Sequence, residues 1–230
     1  MKINGLRSEI LKNKFSVAKK IFALEKGEIQ DRSIYVISAK VVAIAEDRQS
    51  DYQNFSDAVR GEGQVLNESE PFLTIRDGVF LPNSGVDESN SLGDFSLLPE
   101  NSQDSSKRIW SDLRQLSGTK NLGIIISDSC VFPLRKGVAS VALGAYGFRA
   151  VEDLRGKKDL FDRKTKLAFR NTADMLAGAA ALEMGETSEQ IPFVKITDAN
   201  LDFDFAEEDL EMSIKPQNCL FSSYFGINLD

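Results

Sequence analysis

The chain of 230 residues contains no histidine. That absence excludes Ser-His-Asp and Cys-His nucleophilic catalysis, histidine zinc sites and histidine general bases. Cys130 and Cys219 are its only cysteines, too few for a disulfide framework, and both are expected to be buried thiols. No apolar run approaches the roughly 20 residues that span a bilayer, and the first thirty residues hold no signal-peptide hydrophobic region. The expected address is cytoplasmic, with no membrane partner. Positive charge is also short: 28 Lys and Arg stand against 35 Asp and Glu, for a net charge of −7. A general electrostatic grip on nucleic acid is therefore not expected. Carboxylates, Lys, Arg, backbone amides and a bound ion are what remain for chemistry. A transfer driven by nucleotide phosphates suits that inventory better than unaided hydrolysis at neutral pH.

The composition, 42% hydrophobic and 27% charged, is that of an ordinary globular protein. Within it, Asn83–Ser84–Gly85–Val86–Asp87–Glu88–Ser89–Asn90 places short polar residues and a carboxylate on a glycine turn. A second segment, Gly123–Ile124–Ile125–Ile126–Ser127–Asp128–Ser129, ends a buried-looking strand on another carboxylate. Two carboxylates at the mouths of turns can share a divalent cation, and the cation can hold nucleotide phosphates. Taken alone, Asp87 and Asp128 also read as turn or cap residues, because Asp bonds its own backbone readily.

Around these segments the pattern predicts a mixed chain. Residues 14–26 read as an amphipathic helix closed by Gly27, and Ser33–Ser38 as a strand running on through Lys40–Ile44. Residues 49–70 suggest a helix or excursion. Phe72–Ile75 and Gly78–Leu81 read as a strand pair around Arg76–Asp77. Residues 83–105 form a long polar loop, a feature more often functional than idle, with Ser105 as the cap of a helix carrying Ile109, Trp110 and Leu113. Trp110 is expected to pack. The glycines at 144 and 147, in an apolar run from Val138 to Phe148, suggest bends or close backbone approach. The clearest helix is 166–184, capped by Gly185. A strand at Pro192–Ile196 follows, then an acidic stretch, 198–211, expected as an edge strand or solvent-lapped helix. Asp159 and Arg163 suggest a local ion pair, with a substrate-side role as the alternative.

Taken together, the motifs resemble those of the GTP-dependent coenzyme F420-0:gamma-glutamyl ligases and their relatives labelled putative folate-metabolism gamma-glutamate ligases. The resemblance runs from about Ser33 to Ile196 and covers roughly two thirds of the chain. It is carried by Ser38–Val42 with Glu46 and Arg48, by Asn83–Asn90, and by Leu98–Pro99 with Asp104–Ser105. Further on it is carried by Ile126–Ser129 with Pro133 and Arg135, by Val141–Gly144, Asp153–Gly156, Asp159 and Arg163, and by Met184–Glu186 ahead of Ile191–Pro192.

The resemblance implies an α/β protein of mixed sheets, one ligase-like domain over 1–230 with a smaller subdomain possible in the middle of the chain, in an intertwined homodimer. It implies an enzyme that joins L-glutamate to a small carboxylate acceptor, F420-like or folate-like, through an acyl phosphate. GTP or ATP and Mg²⁺ or Mn²⁺ are the implied cofactors. Asp87, Asp128, Ser129 and Glu186 would ligate metal. Asn90, Lys40, Met184, Gly185, Glu186 and Ile191 would contact nucleotide, and Asp128, Lys40 and Arg135 would serve the chemistry. Lys40 and Arg135 read by themselves divide evenly between surface charge and phosphate contact. Arg163 is a further cation for phosphate charge.

Some positions depart from the F420-pathway pattern. The N-terminal Gly-Asp-Asp step is missing from Leu6–Ser16, Ile44 replaces a lysine, and Cys130–Val131–Phe132–Pro133 replaces Phe-Gly-Arg-Pro. These changes point towards the folate-labelled relatives. Two other classes of function stay open: a nucleotide- or cofactor-binding homologue that has lost ligation, and a dimeric scaffold of the same fold.

Overall fold

The structure, a computed structural model, describes residues 1–48, 50–91 and 95–221. Residues 92–94 of the long polar loop therefore lie outside the described residues. The chain forms β1 (Lys2–Leu6), α1 (Val17–Leu24), β2 (Ser33–Ser38) and α2 (Ala39–Ala45). It continues through α3 (Phe55–Glu62), β3 (Gln64–Asn67), β4 (Leu73–Arg76) and β5 (Val79–Pro82). Then come α4 (Ser102–Ser117), β6 (Leu122–Val131), β7 (Val138–Tyr146), β8 (Val151–Asp153), β9 (Phe169–Asn171), α5 (Thr172–Met184) and β10 (Phe193–Thr197).

Five strands make the main sheet in the order β1-β10-β2-β6-β7. Its neighbours are antiparallel except β2 and β6, which run parallel. Alternation along the strands divides the core. Tyr35, Ile37, Ile124, Ile126 and Phe193 face α1 and α4, while Ile34, Val36, Ile125, Val194 and Ile196 face α5. Burial on both faces explains why the central strands read as unbroken apolar runs. Each such side chain contributes about 1.5–3 kcal/mol by leaving water. On α5 the small residues Ala173, Ala177 and Ala180 are fully buried, which brings that helix close to the sheet.

The outer strand β7 has its backbone groups occupied by side chains, one means of blunting a sheet edge. Gln103 both donates to the Ala145 carbonyl (2.9 Å) and accepts from the Ala145 N–H (3.0 Å), and Asp174 accepts from the Ala142 N–H (2.8 Å). A Cβ on Gly144 would lie 2.2 Å from the Ser102 carbonyl, so this glycine admits the start of α4. A second sheet, β3-β4-β5, carries its own small apolar cluster around Val59, Phe72, Val86 and Leu97.

Several expectations needed correction. The strand does not continue past Ser38: Lys40–Ile44 is helical, because the chain turns to bury Ala39, Val42, Ala43 and Ala45. Tertiary burial overrides the β preference of two valines there. α4 begins before Ser105; Asn101 caps it by accepting from the Asp104 N–H at 2.9 Å, and the Ser105 hydroxyl donates to Glu46. The last long helix starts at Thr172 instead of 166, since Asn171 caps it and Phe169–Asn171 pairs with β8. Residues 198–211 form neither an edge strand nor an α-helix. Leu201, Phe203 and Phe205 pack on the α5-side core without a ladder, and only Glu207–Leu210 makes a 3₁₀ turn. β1 is an addition to the expected elements: Lys2–Leu6 carries only two apolar side chains, Ile3 and Leu6, too few to signal a strand.

The β4–β5 hairpin is as expected, with Asp77 and Gly78 both at positive φ in its turn. The Gly185 cap and the packing of Trp110 also agree: the Gly185 N–H donates to Ala181, and Trp110 lies edge-on to Tyr146 at 4.9 Å. Neither cysteine is in a disulfide; Cys130 is buried as expected, whereas Cys219 is only partly buried.

Candidate functional site

The parallel pair fixes where the site forms. Ser38, the last residue of β2, stands opposite Ser127 of β6. Lys40, just beyond β2, and Asp128, just beyond Ser127, therefore emerge at the same end of the sheet. The carboxyl ends of parallel strands are where such sheets commonly bind ligands. Asp128 is inside β6 and not on a turn as the sequence suggested. The ladder shifts there: Ile126 pairs with Gly144 and Ser127 with Ala142, leaving Leu143 as an extra residue. A bulge of this kind bends a strand and re-aims the side chains that follow. The loop from Gly185 reaches the same end, because it feeds β10, whose Phe193 pairs with Ile37.

The Asp87 turn is built by its own sequence. Asn83, Ser84 and Gly85 are three consecutive left-handed residues, at φ of 53°, 54° and 72°. The Asn83 side chain accepts from the Phe72 N–H (2.9 Å); Ser84 is buried and donates its hydroxyl to Val59 (2.7 Å). A Cβ on Gly85 would fall 2.4 Å from Leu98, and its φ also favours glycine. Beyond the turn, the Asp87 and Ser96 backbones exchange hydrogen bonds of 3.2 and 2.7 Å.

With its backbone pinned, Asp87 presents a carboxylate that accepts from Lys40 Nζ (2.5 Å), the Ser89 N–H (2.9 Å) and the Ser89 hydroxyl (2.6 Å). Lys40 Nζ also donates to the Ser89 carbonyl (2.9 Å) and hydroxyl (3.2 Å). Asn90 Nδ2 donates to the Thr187 carbonyl at 3.1 Å, and the Ser129 hydroxyl lies 3.0 and 2.9 Å from the two Glu186 oxygens. α2, the Asp87 turn, β6 and the loop after α5 thus converge. Gly185 is needed where that loop turns back: it has φ 70°, and a Cβ there would be 2.1 Å from Glu189.

Electrostatics single out Asp128. Its burial pushes the carboxyl up to about 7, with Asp87 and Glu186 adding to the shift and Lys40 and the Ser129 N–H opposing it. For Asp87, burial also raises the pKa, but bonds from Lys40 and Ser89 outweigh it and hold the group below its ordinary value. Burial, helped by Asp128, lifts the Cys130 thiol to about 11, which makes it a poor nucleophile. Beside Cys130 a largely apolar cavity of about 680 Å³ opens, walled by Phe80, Phe132, Val141, Leu143 and Met212, with Asp174 among its polar groups.

Other sequence-named residues stand apart. Met184 and Ile191 pack against the α5-side core, so their side chains are already engaged. Arg135 is exposed on the β6–β7 hairpin, where its N–H donates to Phe132 (3.2 Å) and no described side-chain bond holds its guanidinium beside Asp87. Asp159 accepts from the N–H groups of Phe161 (2.8 Å) and Arg163 (2.9 Å), so a side-chain-to-backbone cap replaces the expected ion pair. Arg163 lies over the Phe161 ring at 5.7 Å. Sequence reasoning missed a buried knot behind the site: Glu62 binds both Arg76 and Arg48. Those arginines donate to the carbonyls of Pro99 (2.8 Å) and Leu98 (3.3 Å), fastening the segment against which Gly85 packs. No local spacing advertises it.

Among the described residues no group of three or more His, Cys, Asp or Glu is gathered closely enough to hold a metal ion. The donor chemistry nonetheless suits a hard divalent cation, being carboxylate and hydroxyl oxygen throughout, and a protein cation, Lys40, already sits on Asp87. No described helix is long and apolar enough to cross a membrane.

Residues 57–198, from within α3 to just past β10, match the family model for F420-0:gamma-glutamyl ligase. The chain belongs to that ligase family. It is similar to the coenzyme F420:L-glutamate ligase of Methanocaldococcus jannaschii, 33% identical over 189 residues that cover 81% of this chain and 76% of the relative. The enzyme of the same name from Methanosarcina mazei is 34% identical over 218 residues, 84% of each chain. That from Methanosarcina acetivorans is 34% identical over 211 residues, 82% of each. These relatives carry the coenzyme F420 name and distinguish no folate-labelled branch. The ligase match contains Asp87, Asn90, Asp128, Ser129 and Glu186; Lys40 lies outside it.

Proposed function

We propose that this protein is a nucleotide- and metal-dependent gamma-glutamyl ligase, forming an amide between L-glutamate and a carboxylate of a small acceptor through an acyl phosphate. The observation that carries this reading is the convergence of Lys40, Asp87, Asn90, Asp128, Ser129 and Glu186 at the carboxyl ends of β2 and β6, in a chain of this family. The acceptor class is F420-like, after the names of the relatives, with a folate-like carboxylate as the alternative.

Asp87, Asp128, Ser129 and Glu186 would hold Mg²⁺ or Mn²⁺, which neutralises phosphate charge when bound. Lys40 would add a compact cation to the same phosphates, and the loop from Met184 to Ile191, which Asn90 ties to the Asp87 turn, would hold GTP or ATP. The Arg135 guanidinium, on an exposed hairpin, is available to clamp a substrate carboxylate with two parallel bonds. The cavity beside Cys130 gives the body of the acceptor room close to Asp128. A homodimer fits the exposed apolar side chains Val131, Phe132, Leu134 and Val138 clustered on that hairpin, since exposed apolar groups of this kind mark interfaces.

The test is calorimetric titration of GTP, then ATP, with and without Mn²⁺ or Mg²⁺, followed by phosphate release with L-glutamate and F420-like or folate-like acceptors. Metal-dependent binding and acceptor-dependent turnover are expected. Binding without turnover across the acceptors would favour the ligation-inactive alternative, and absence of binding would remove the ligase reading.

A further inference from the structure

We propose that Lys40 is a resident cation of the ligase site, seated on Asp87 until a divalent ion displaces it, so that metal entry and release of the lysine are one event. The inference rests on the ligase reading above. Three oxygen atoms surround the Lys40 ammonium: Asp87 Oδ2 at 2.5 Å, the Ser89 carbonyl at 2.9 Å and the Ser89 hydroxyl at 3.2 Å. An ammonium has three donors and no acceptor, so this shell uses its full capacity. The shell is all hard oxygen, the kind that Mg²⁺ and Mn²⁺ take. Asp128 and Asp87 both lie within electrostatic reach of the same ammonium.

Two features make the seat exchangeable. Lysine is a strongly hydrated point charge on a flexible four-carbon stem, held here by its head group and not by a planar fork. Its side chain is 21% exposed, so water can receive the ammonium when it leaves. A divalent ion on Asp87 Oδ2 and an ammonium on the same atom repel strongly at that separation, so the two do not share it. The freed Lys40 then stands at the mouth of the site, on α2, as a mobile cation for the anionic oxygens of bound nucleotide. A simple staple makes the opposite prediction. If Lys40 only fastens the Asp87 turn, its removal loosens the turn and weakens metal binding.

The sign of one measurement separates the two. Mn²⁺ binding to the full chain, without nucleotide, is followed by the electron paramagnetic resonance signal of free Mn²⁺. Lys40→Met and Lys40→Gln are each expected to bind Mn²⁺ about tenfold more tightly than the wild type, having lost a competing charge. Lys40→Arg, which keeps the charge, should stay within about threefold of the wild type. Thermal melts give a second readout: the stability lost in Lys40→Met without metal should be recovered in saturating Mn²⁺. Equal or weaker Mn²⁺ binding by both neutral variants overturns the proposal. If the wild type then still binds nucleotide in a metal-dependent way, the ligase reading survives that failure. If neither wild type nor variants bind Mn²⁺ or nucleotide, both are lost.

Discussion

The two ends of the parallel β2–β6 pair treat charge differently. At the amino end, Arg32, Arg149 and Arg170 line a polar cleft of about 600 Å³ together with Glu152, Asp202 and Asp204. There the signs balance and the arginines are engaged. Arg149 reaches Asp202 (2.6 Å) and Asp209 (3.0 Å), Arg170 binds Glu152, and Arg32 donates to the Leu201 carbonyl (2.7 Å) while stacking on Phe203. At the carboxyl end, Asp87 and Glu186 both press on Asp128, with Lys40 as the opposing cation. Balanced charge straps a chain segment, here residues 198–211, to the sheet. Unbalanced charge costs stability and is retained where a ligand completes it. This comparison supports our proposal that the carboxyl end is the ligand site, with the amino end as scaffold.

The largest effect expected is on turnover. Asp128→Ala should lower nucleotide-driven ligation by about 10²–10³-fold or more, the scale of losing one transition-state charge stabiliser. The check is phosphate release and amide product in parallel. Undiminished ligation by this variant would break the assignment of the site. Next comes the pH dependence of stability. The folded Asp128 carboxyl titrates near 7 instead of its ordinary 3.8 because of burial. A raised carboxyl binds its proton more tightly in the folded state, so its contribution is full below about pH 4 and is lost as pH rises through 7. At about 1.4 kcal/mol per pH unit the shift amounts to a few kcal/mol at most. Asp128→Asn should therefore melt higher than the wild type at pH 8 and no higher at pH 4. A flat difference across that range would contradict the burial argument. Glu186→Gln should be milder, loosening Mn²⁺ about tenfold, since Ser129 and an amide oxygen would still be available to the ion.

How much of this was legible follows from the range of each signal. β2, β6 and the β4–β5 hairpin announce themselves as apolar runs with turn residues, and Gly185 closes α5 as its position suggests. The Asp87 turn is readable too, because Asn83–Gly85 is a local device whose left-handed residues are contiguous. Asp128 could be picked as a carboxylate after a strand, but not placed. Its position depends on a bulge whose extra residue, Leu143, is on the partner strand. The pairing of Lys40 with Asp87 depends on how the turn after β5 packs beside α2, and that of Ser129 with Glu186 on where β10 enters the sheet. Neither leaves a periodic trace. The family resemblance offers a constellation that spacing could not, because it compares many motifs at once. It did not reveal Arg48–Glu62–Arg76, a knot that works through backbone carbonyls and has no chemical motif.

The smallest effect sharpens the contrast from the scaffold end. Arg149 bridges two partly exposed carboxylates, Asp202 and Asp209, that belong to the strap, and each pair is screened by solvent. Exposed pairs contribute about 0.2–1 kcal/mol each, so Arg149→Ala should lower stability by about 1 kcal/mol, seen as a modest fall in the denaturation midpoint. Ligation at saturating nucleotide and glutamate should not change, because the residue lies at the amino ends of β2 and β6, away from Asp87 and Asp128. High salt should shrink the stability difference, as screening weakens the wild-type pairs first. If Arg149→Ala instead lowered turnover as Asp128→Ala does, the amino-end cleft would be part of the site. Charge balance would then no longer distinguish the two ends.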